Sequence, residues 1–337
     1  MEQISLIQPS GLDHTKRLRS ISATDVARVL GVHPYESAWD VYAVKTGLVA
    51  KPPVTSEAAE IGGALQQSIA RLYSERTGEP LVWWDETQTH PEHEWATATP
   101  DSRLAQARID GKRGLCEIKT GGHAQVYRYG PSWSDEYPEE YRLQMAWQCF
   151  VTGYDFCDLA VLLGAESMTL RIYRFEPSQE YLRDVFERVR SFWFDHVVAR
   201  VPPEIKPTSL ADIYLRGKTS RSDFREPTPD ESEWIEELAR IKTSAAPNAK
   251  RQKELETLLK NSIGEASGLL WERGKVSYKT AAASKTTDFK AVAADLALLL
   301  DDDIREGAYA AALAKHTKVE PGSRRFLFRP KGAEDDE

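Results

Sequence analysis

Apolar and polar positions recur with two different periods along this chain of 337 residues. Over residues 56–77, Ile61, Leu65, Ile69 and Leu72 stand at helical spacing, and the pattern stops before Gly78-Glu-Pro80, which predicts a helix. Upstream, Ser20-Ile-Ser22-Ala-Thr24-Asp25 offers several N-caps, so residues 20–47 predict two short amphipathic helices separated by Gly31-Val-His-Pro34. The period then shortens to two. Strands are predicted over Leu81–Trp84, Trp95–Thr99, Ser102–Ile109 and Leu115–Thr120, the last two joined by a turn at Asp110-Gly111. A helix follows over Glu139–Thr152, then strands over Leu159–Leu163 and Met168–Phe175, and a closing helix from Gln179 to about Arg200.

Helices and strands in that order describe an α/β (α+β) core, a mixed central sheet flanked by helices. The core is expected to span residues 1–204. Two proline clusters, Val201-Pro-Pro203 and Glu226-Pro-Thr-Pro229, bracket a polar stretch that reads as a linker over 205–230. Beyond it, 231–274 is charged and helical, Lys275–Thr280 and Arg324–Phe328 read as short strands, and Ala291–Leu300 as an apolar helix. This predicts a small C-terminal α+β appendage over 231–330 and an acidic tail over 331–337.

Composition narrows the class more than it names it. No run of about 18 apolar residues exists, and the N-terminus lacks the basic-then-apolar order of a signal peptide, so a cytoplasmic location is expected. Cys116, Cys149 and Cys157 all lie inside apolar runs without metal-site spacing and read as buried small hydrophobes. The net charge of −8 argues against a uniformly basic surface for nucleic acid, while leaving room for a local positive groove.

The stretch RGLCEIKTGG, residues 113–122, carries the candidate chemistry. On a strand, Glu117 and Lys119 share one face while Cys116 and Ile118 enter the core. The tripeptide alone says little, because Glu204-Ile-Lys206 repeats it between Pro203 and Pro207, where no central strand can run, and Asp288-Phe-Lys290 repeats the pattern at a helix start. Only the first copy has a second acid, Asp101, upstream on a neighbouring strand. Two carboxylates suit a Mg²⁺ ion, which takes oxygen ligands and binds through one or two carboxylates plus substrate phosphate. Asp101 and Glu117, with the backbone carbonyl of Ile118, would hold the ion, and Lys119 would orient or help deprotonate a water or stabilise phosphate charge. The alternative is a solvated ion pair contributing well under about 1 kcal/mol.

The ordered set Pro100-Asp101, Glu117-Ile-Lys119 and Gln144 resembles the PD-(D/E)XK nucleases, and within them the lambda exonuclease or YqaJ-type viral recombinase group. Ile21-Ser-Ala-Thr-Asp25, Gly62-Gly-Ala-Leu-Gln66 and Tyr141-Arg-Leu-Gln144 support it, and the resemblance covers about residues 17–200. It implies a restriction-endonuclease-like core and a phage- or prophage-encoded, Mg²⁺-dependent exonuclease, with Mn²⁺ as a substitute. Such an enzyme degrades linear double-stranded DNA from the 5′ end and leaves 3′ single strands for recombination by annealing. It also implies DNA ends as partner, a homo-oligomeric ring, often a trimer, and a single-strand annealing protein.

Residue by residue, Asp101 and Glu117 match metal ligands, Lys119 the catalytic lysine, and Gln144 the glutamine of the following helix. Arg17 or Arg19, with Ser22 or Thr24, match the residues that grip the 5′ phosphate. Where the family usually has a glutamate, this chain has Gln66, an uncharged candidate metal ligand. Two alternatives follow: a related nuclease of other polarity or endonucleolytic action, and a DNA-end-binding protein with a weakened site.

Three further features remain open. His90-Pro-Glu-His93 reads as a polar loop rather than a metal pair. Tyr127, Tyr129, Trp133 and Tyr137, in the loop after the catalytic strand, would either stack on unpaired bases or anchor that loop. A basic cluster at Lys315, Lys318, Arg324, Arg325 and Arg329 suggests that the appendage touches DNA, with a solvated face as the plainer reading.

Overall fold

The computed structural model describes residues 14–50, 56–84, 86–164, 168–220, 223–243, 249–271, 274–281, 283–297, 311, 314–320 and 322–330. The chain divides between Glu204 and Ile205 into two compact units.

In the first unit, helices α1 (His14–Leu18), α2 (Ala23–Val29), α3 (Ala38–Lys45) and α4 (Glu57–Thr77) precede the strands. Ser22 and Asp25 form a capping box that starts α2, and Ser37 and Asp40 form one that starts α3. Helix α4 stops at Gly78, which adopts the left-handed conformation (φ 73°) that a glycine takes without a Cβ penalty. Strands β1 (Leu81–Trp83), β2 (Gln88–Thr89), β3 (Thr97–Ala98), β4 (Ser102–Leu104) and β5 (Gly114–Gly121) follow. Helix α5 (Glu139–Thr152), strands β6 (Phe156–Gly164) and β7 (Met168–Phe175), and helix α6 (Gln179–Phe192) complete the unit.

The main sheet is mixed, in the order β1-β4-β5-β6-β7, with β5 and β6 parallel and joined through α5. A parallel pair needs such a crossover, and both its faces are covered here. On one face Leu115, Leu159, Val161 and Leu163 pack with Met145, Ala146 and Cys149 of α5. On the other, Cys116, Ile118 and Ala160 pack with Ile69 and Tyr73 of α4. Buried charge within the sheet is paired: Asp158 of β6 accepts from Tyr73 Oη at 2.6 Å and from Arg174 Nη2 at 2.6 Å.

Several strand and helix boundaries differ from the sequence expectation, β6 among them, which begins at Phe156 rather than Leu159. Of Trp95–Thr99 only Thr97 and Ala98 form a strand, paired with β2 outside the main sheet, because Trp95 and Ala96 turn into the cluster formed by α2, α5 and α6. The strand expected to reach Ile109 ends at Leu104, and α6 ends at Phe192 in a π-helical turn, Trp193–Val198. Arg200 then takes a left-handed φ of 59°.

The stretch 205–230, expected as a linker, belongs to the second unit as α7 (Ser209–Gly217) and β8 (Phe224–Arg225). Leu210, Ala211 and Leu215 bury one face of α7, a helical spacing that the flanking prolines obscured. The unit continues with α8 (Pro229–Thr243), α9 (Ala249–Ile263), β9 (Gly268–Trp271), β10 (Gly274–Thr280), β11 (Ser284–Thr287), α10 (Phe289–Ala297), β12 (Thr317–Glu320) and β13 (Arg324–Pro330). Its larger sheet runs β13-β10-β9-β8, and β11 pairs with β12. The expected acidic tail, 331–337, and the last residues of the helix expected over Ala291–Leu300 lie outside the described residues. No described helix is long and apolar enough to cross a membrane.

Candidate active site

Strand β5 places the central pair. Alternation turns Glu117 and Lys119 to the α5 face, where Glu117 is 2% exposed. A carboxylate so buried needs hydrogen-bond donors, and it has three side chains supplying them. Lys119 Nζ and Gln144 Nε2 donate to Oε1, the latter at 2.6 Å, and Gln148 Nε2 donates to Oε2 at 2.6 Å. Gln144 and Gln148 are one turn apart on α5 and therefore share its inward face. The Gln148 amide is oriented by its own partner, Cys157 Sγ, 3.5 Å from Oε1.

Asp101 reaches the site by a different route. Strand β4 begins at Ser102, paired with Cys116, so no backbone from β4 meets Ile118. The Asp101 side chain takes that place: its Oδ2 accepts the Ile118 N–H at 2.8 Å. In an extended strand the N–H and C=O of one residue point to the same side, so the Ile118 carbonyl also faces the edge that Asp101 occupies. Asp101 Oδ1 lies 3.4 Å from Gln66 Nε2 of α4. Close helix–strand approach brings Gln66 there. A Cβ at Gly62, one turn earlier, would lie 3.1 Å from Thr120 Oγ1, so glycine lets α4 settle against β5.

The electrostatics are those of a cation held between acids. Burial alone would lower the Lys119 ammonium, but the Glu117 and Asp101 carboxylates outweigh it and hold its pKa above the ordinary lysine range. The Tyr141 ring lies 5.6 Å beneath Nζ. Lys119 is therefore an ammonium in the resting chain.

The donor set fits a hard cation in part. Asp101, Glu117 and the Ile118 carbonyl offer oxygens of the kind such an ion takes. As oriented here, Gln66 turns its NH₂ toward Asp101; reversing the amide would present its oxygen instead. Among the described residues no group of three or more His, Cys, Asp or Glu forms a metal cluster. Gln66, 3.4 Å from Asp101, adds an amide rather than a charge beside that carboxylate.

The N-terminal candidates cluster at the start of α2. Arg17 Nη2 donates to Thr24 Oγ1 at 3.3 Å, while the Ser22 hydroxyl donates to Asp25 Oδ2 at 2.7 Å as part of the capping box. Arg19 is exposed. Two cations that sequence reasoning missed join them: Lys45 Nζ is 2.8 Å and Arg28 Nη1 3.2 Å from the Asp25 carboxylate. Burial acts to raise the Asp25 carboxyl, yet Lys45 and Arg28 hold it well below the usual carboxylate range.

Of the loop aromatics, Tyr129 and Tyr137 are buried and pack on Tyr173 at ring distances of 6.1 and 5.2 Å, so they anchor the loop. Tyr127 is 84% exposed. His90 and His93 stack on one another at 4.7 Å, with Phe150 and Phe186 against them, so both rings serve packing. Gln148 was also missed in the sequence; its signal is the spacing of four from Gln144.

Comparison with known proteins finds several that this chain resembles. Over 256 residues it is 25% identical to the uncharacterized protein YqaJ of Bacillus subtilis (strain 168), covering 74% of this chain and 77% of that one. An alkaline exonuclease (LHK-Exo) from Laribacter hongkongensis is similar over 56% of this chain and 92% of its own, at 19% identity and a TM-score of 0.43. A phage related exonuclease from Haemophilus somnus 129PT is similar over 54% and 96%, at 13% identity and a TM-score of 0.40. Residues 14–155, which hold Asp101, Glu117, Lys119, Gln144 and Gln148, match the YqaJ-like viral recombinase domain.

Proposed function

We propose that this chain is a metal-dependent deoxyribonuclease that degrades linear double-stranded DNA from its ends. The observation that carries the reading is the convergence of Asp101, Glu117 and Lys119 on one strand edge, with Glu117 held in place by Gln144 and Gln148. A divalent ion, Mg²⁺ or Mn²⁺ in its place, supplies charge neutralisation of the phosphate and a more acidic water when bound. The chain's residues do the rest. Asp101 and Glu117 hold the ion, aided by the Ile118 carbonyl and by Gln66 once its amide is reversed. The Lys119 ammonium lies on the same face, suited to orienting the attacking water and to stabilising charge as the phosphodiester bond breaks. Arg17 and Thr24, with Arg19 and Ser22, are assigned the terminal 5′ phosphate, which Arg binds bidentately.

The 5′ to 3′ polarity, the 3′ single-stranded product, a ring-forming homo-oligomer and a single-strand annealing partner belong to this proposal through the similarity to the YqaJ-like domain. One observation favours a second reading: Gln66 leaves the site one carboxylate short, as a DNA-end-binding protein with little or no cleavage would have it.

A single assay separates the readings. Purified protein with Mg²⁺ is mixed with linear duplex bearing or lacking a 5′ phosphate, and with a closed circle. Loss of the 5′-phosphorylated linear DNA with the circle intact is expected. Cutting of the circle would show an endonuclease, and retained end binding without cleavage would support the second reading. Lys119→Ala and Asp101→Asn should each abolish cleavage while the far-ultraviolet circular dichroism stays that of wild type; full activity in either variant would remove that residue from the mechanism.

A further inference from the structure

The larger sheet of the second unit has two unlike faces. On one, Leu269, Val276 and Tyr278 are fully buried. Arg324 lies on that face too, 3% exposed, its guanidinium donating to the carbonyls of Tyr278, Gly264 and Ala266. The basic cluster read from the sequence is therefore split, since Arg324 is a buried structural residue and Lys315 pairs with Asp295 at 2.8 Å.

Among the described residues the opposite face carries exposed side chains. Register puts Lys275 across from Leu270, Ser277 across from Leu327, and Lys279 across from Arg325. Lys275, Lys279 and Arg325 are exposed, and none makes an ion pair among the described residues. Leu270 and Leu327 are 43% and 40% exposed. Phe224 extends the same face, with Lys279 Nζ 5.0 Å from its ring centroid. No acidic residue occupies this face of the strands, in a chain whose net charge is −8.

We infer that this face binds single-stranded DNA. Uncompensated cations select a polyanion, and their complementarity to phosphate is the first reason. The second is the apolar content: a duplex offers the face mainly phosphates, whereas a single strand also offers unpaired bases to Leu270, Leu327 and Phe224. The site lies outside the carboxylate centre and stands whether or not that centre cuts.

The test is fluorescence anisotropy of the full chain with a labelled oligo-dT of about 30 nucleotides in EDTA across a salt series. The Lys275→Ala/Lys279→Ala/Arg325→Ala variant should weaken binding about tenfold and reduce the slope of log affinity against log salt by about 2, since each neutralised phosphate of a single strand contributes about 0.7. A Leu270→Ser/Leu327→Ser variant should weaken binding with the slope unchanged. Initial cleavage of blunt duplex in Mg²⁺ should stay at the wild-type rate in both; absence of cleavage in every form would sink the nuclease reading without touching the anisotropy result. Unchanged affinity and slope in the charge variant would overturn the inference. Equal losses on duplex and single strand would overturn it as well, as would competition by poly-glutamate as effective as by oligo-dT, which would mark a surface for acidic protein.

Discussion

Glu117-Ile-Lys119 and Glu204-Ile-Lys206 are chemically identical tripeptides with different surroundings. The first lies in a strand whose side chains alternate between two packed helices, which buries Glu117 and forces donors onto it. The second lies outside any strand, and Asp288-Phe-Lys290 is different again, since Asp288 Oδ1 accepts from the backbone of Lys290 and Ala291 as a helix cap. At this scale Gln66 decides the most. Gln66→Glu should lower the Mg²⁺ concentration needed for half-maximal cleavage. In EDTA it should also lower the melting temperature, because a second carboxylate beside Asp101 repels it until a cation arrives. An unchanged Mg²⁺ requirement would place Gln66 outside the ion's surroundings. Gln148 touches Glu117, so any part it has in the proposed cleavage is as a positioning residue. Gln148→Leu, similar in volume, should lower kcat about 10- to 100-fold, the usual cost of removing a hydrogen bond that orients a ligand; wild-type kcat would end that assignment.

At the scale of elements, period and caps explain most of what forms. Helix α5 and strand β7 occupy the residues that their patterns predict, because their apolar periods run uninterrupted between clear breakers. The failures have two causes. Of Trp95-Ala-Thr-Ala98 only Thr97 and Ala98 form a strand, while Trp95 and Ala96 pack in the cluster of α2, α5 and α6, a tertiary contact that local alternation does not encode. In 205–230, polar residues and prolines hide a three-residue apolar stripe that becomes α7. The same region ties β8 to α8: Arg225 donates to Glu231 at 2.6 and 2.8 Å, and Glu231 also accepts from Thr228 N at 2.7 Å and from the Ser262 hydroxyl. Burial acts to raise the Glu231 carboxyl, but these donors outweigh it and bring its pKa from the usual 4.5 to about 2. The folded state therefore prefers the carboxylate, and its contribution is complete above pH 4.5 and is lost as pH falls from there toward about 2. Chemical denaturation across that window should show the second unit losing stability, and Glu231→Gln should flatten the loss while costing on the order of 3 kcal/mol at neutral pH. A pH profile identical in the variant would dissociate Glu231 from the effect.

The whole molecule separates what is buried from what is presented. Cys116, Cys149 and Cys157 are all buried in the first unit, and burial raises the pKa of each thiol. A thiol-specific colorimetric reagent should find essentially no reactive cysteine in the native protein at neutral pH and all three after denaturation, since the thiolate is the reacting form. Rapid labelling of any one in the native state would contradict the packing. That burial was legible in the sequence, as were the strand carrying Glu117 and Lys119 and the helix carrying Gln144, because each follows from the local run or period of apolar residues. Tertiary structure alone decided the rest. Asp101 substitutes for a missing strand partner at Ile118, Gln66 arrives through the close approach at Gly62, Gln148 joins Gln144 on Glu117, and Lys275, Lys279 and Arg325 meet on one sheet face. These arrangements depend on which elements pack together and in what register, and residues distant along the chain carry no local pattern that encodes it.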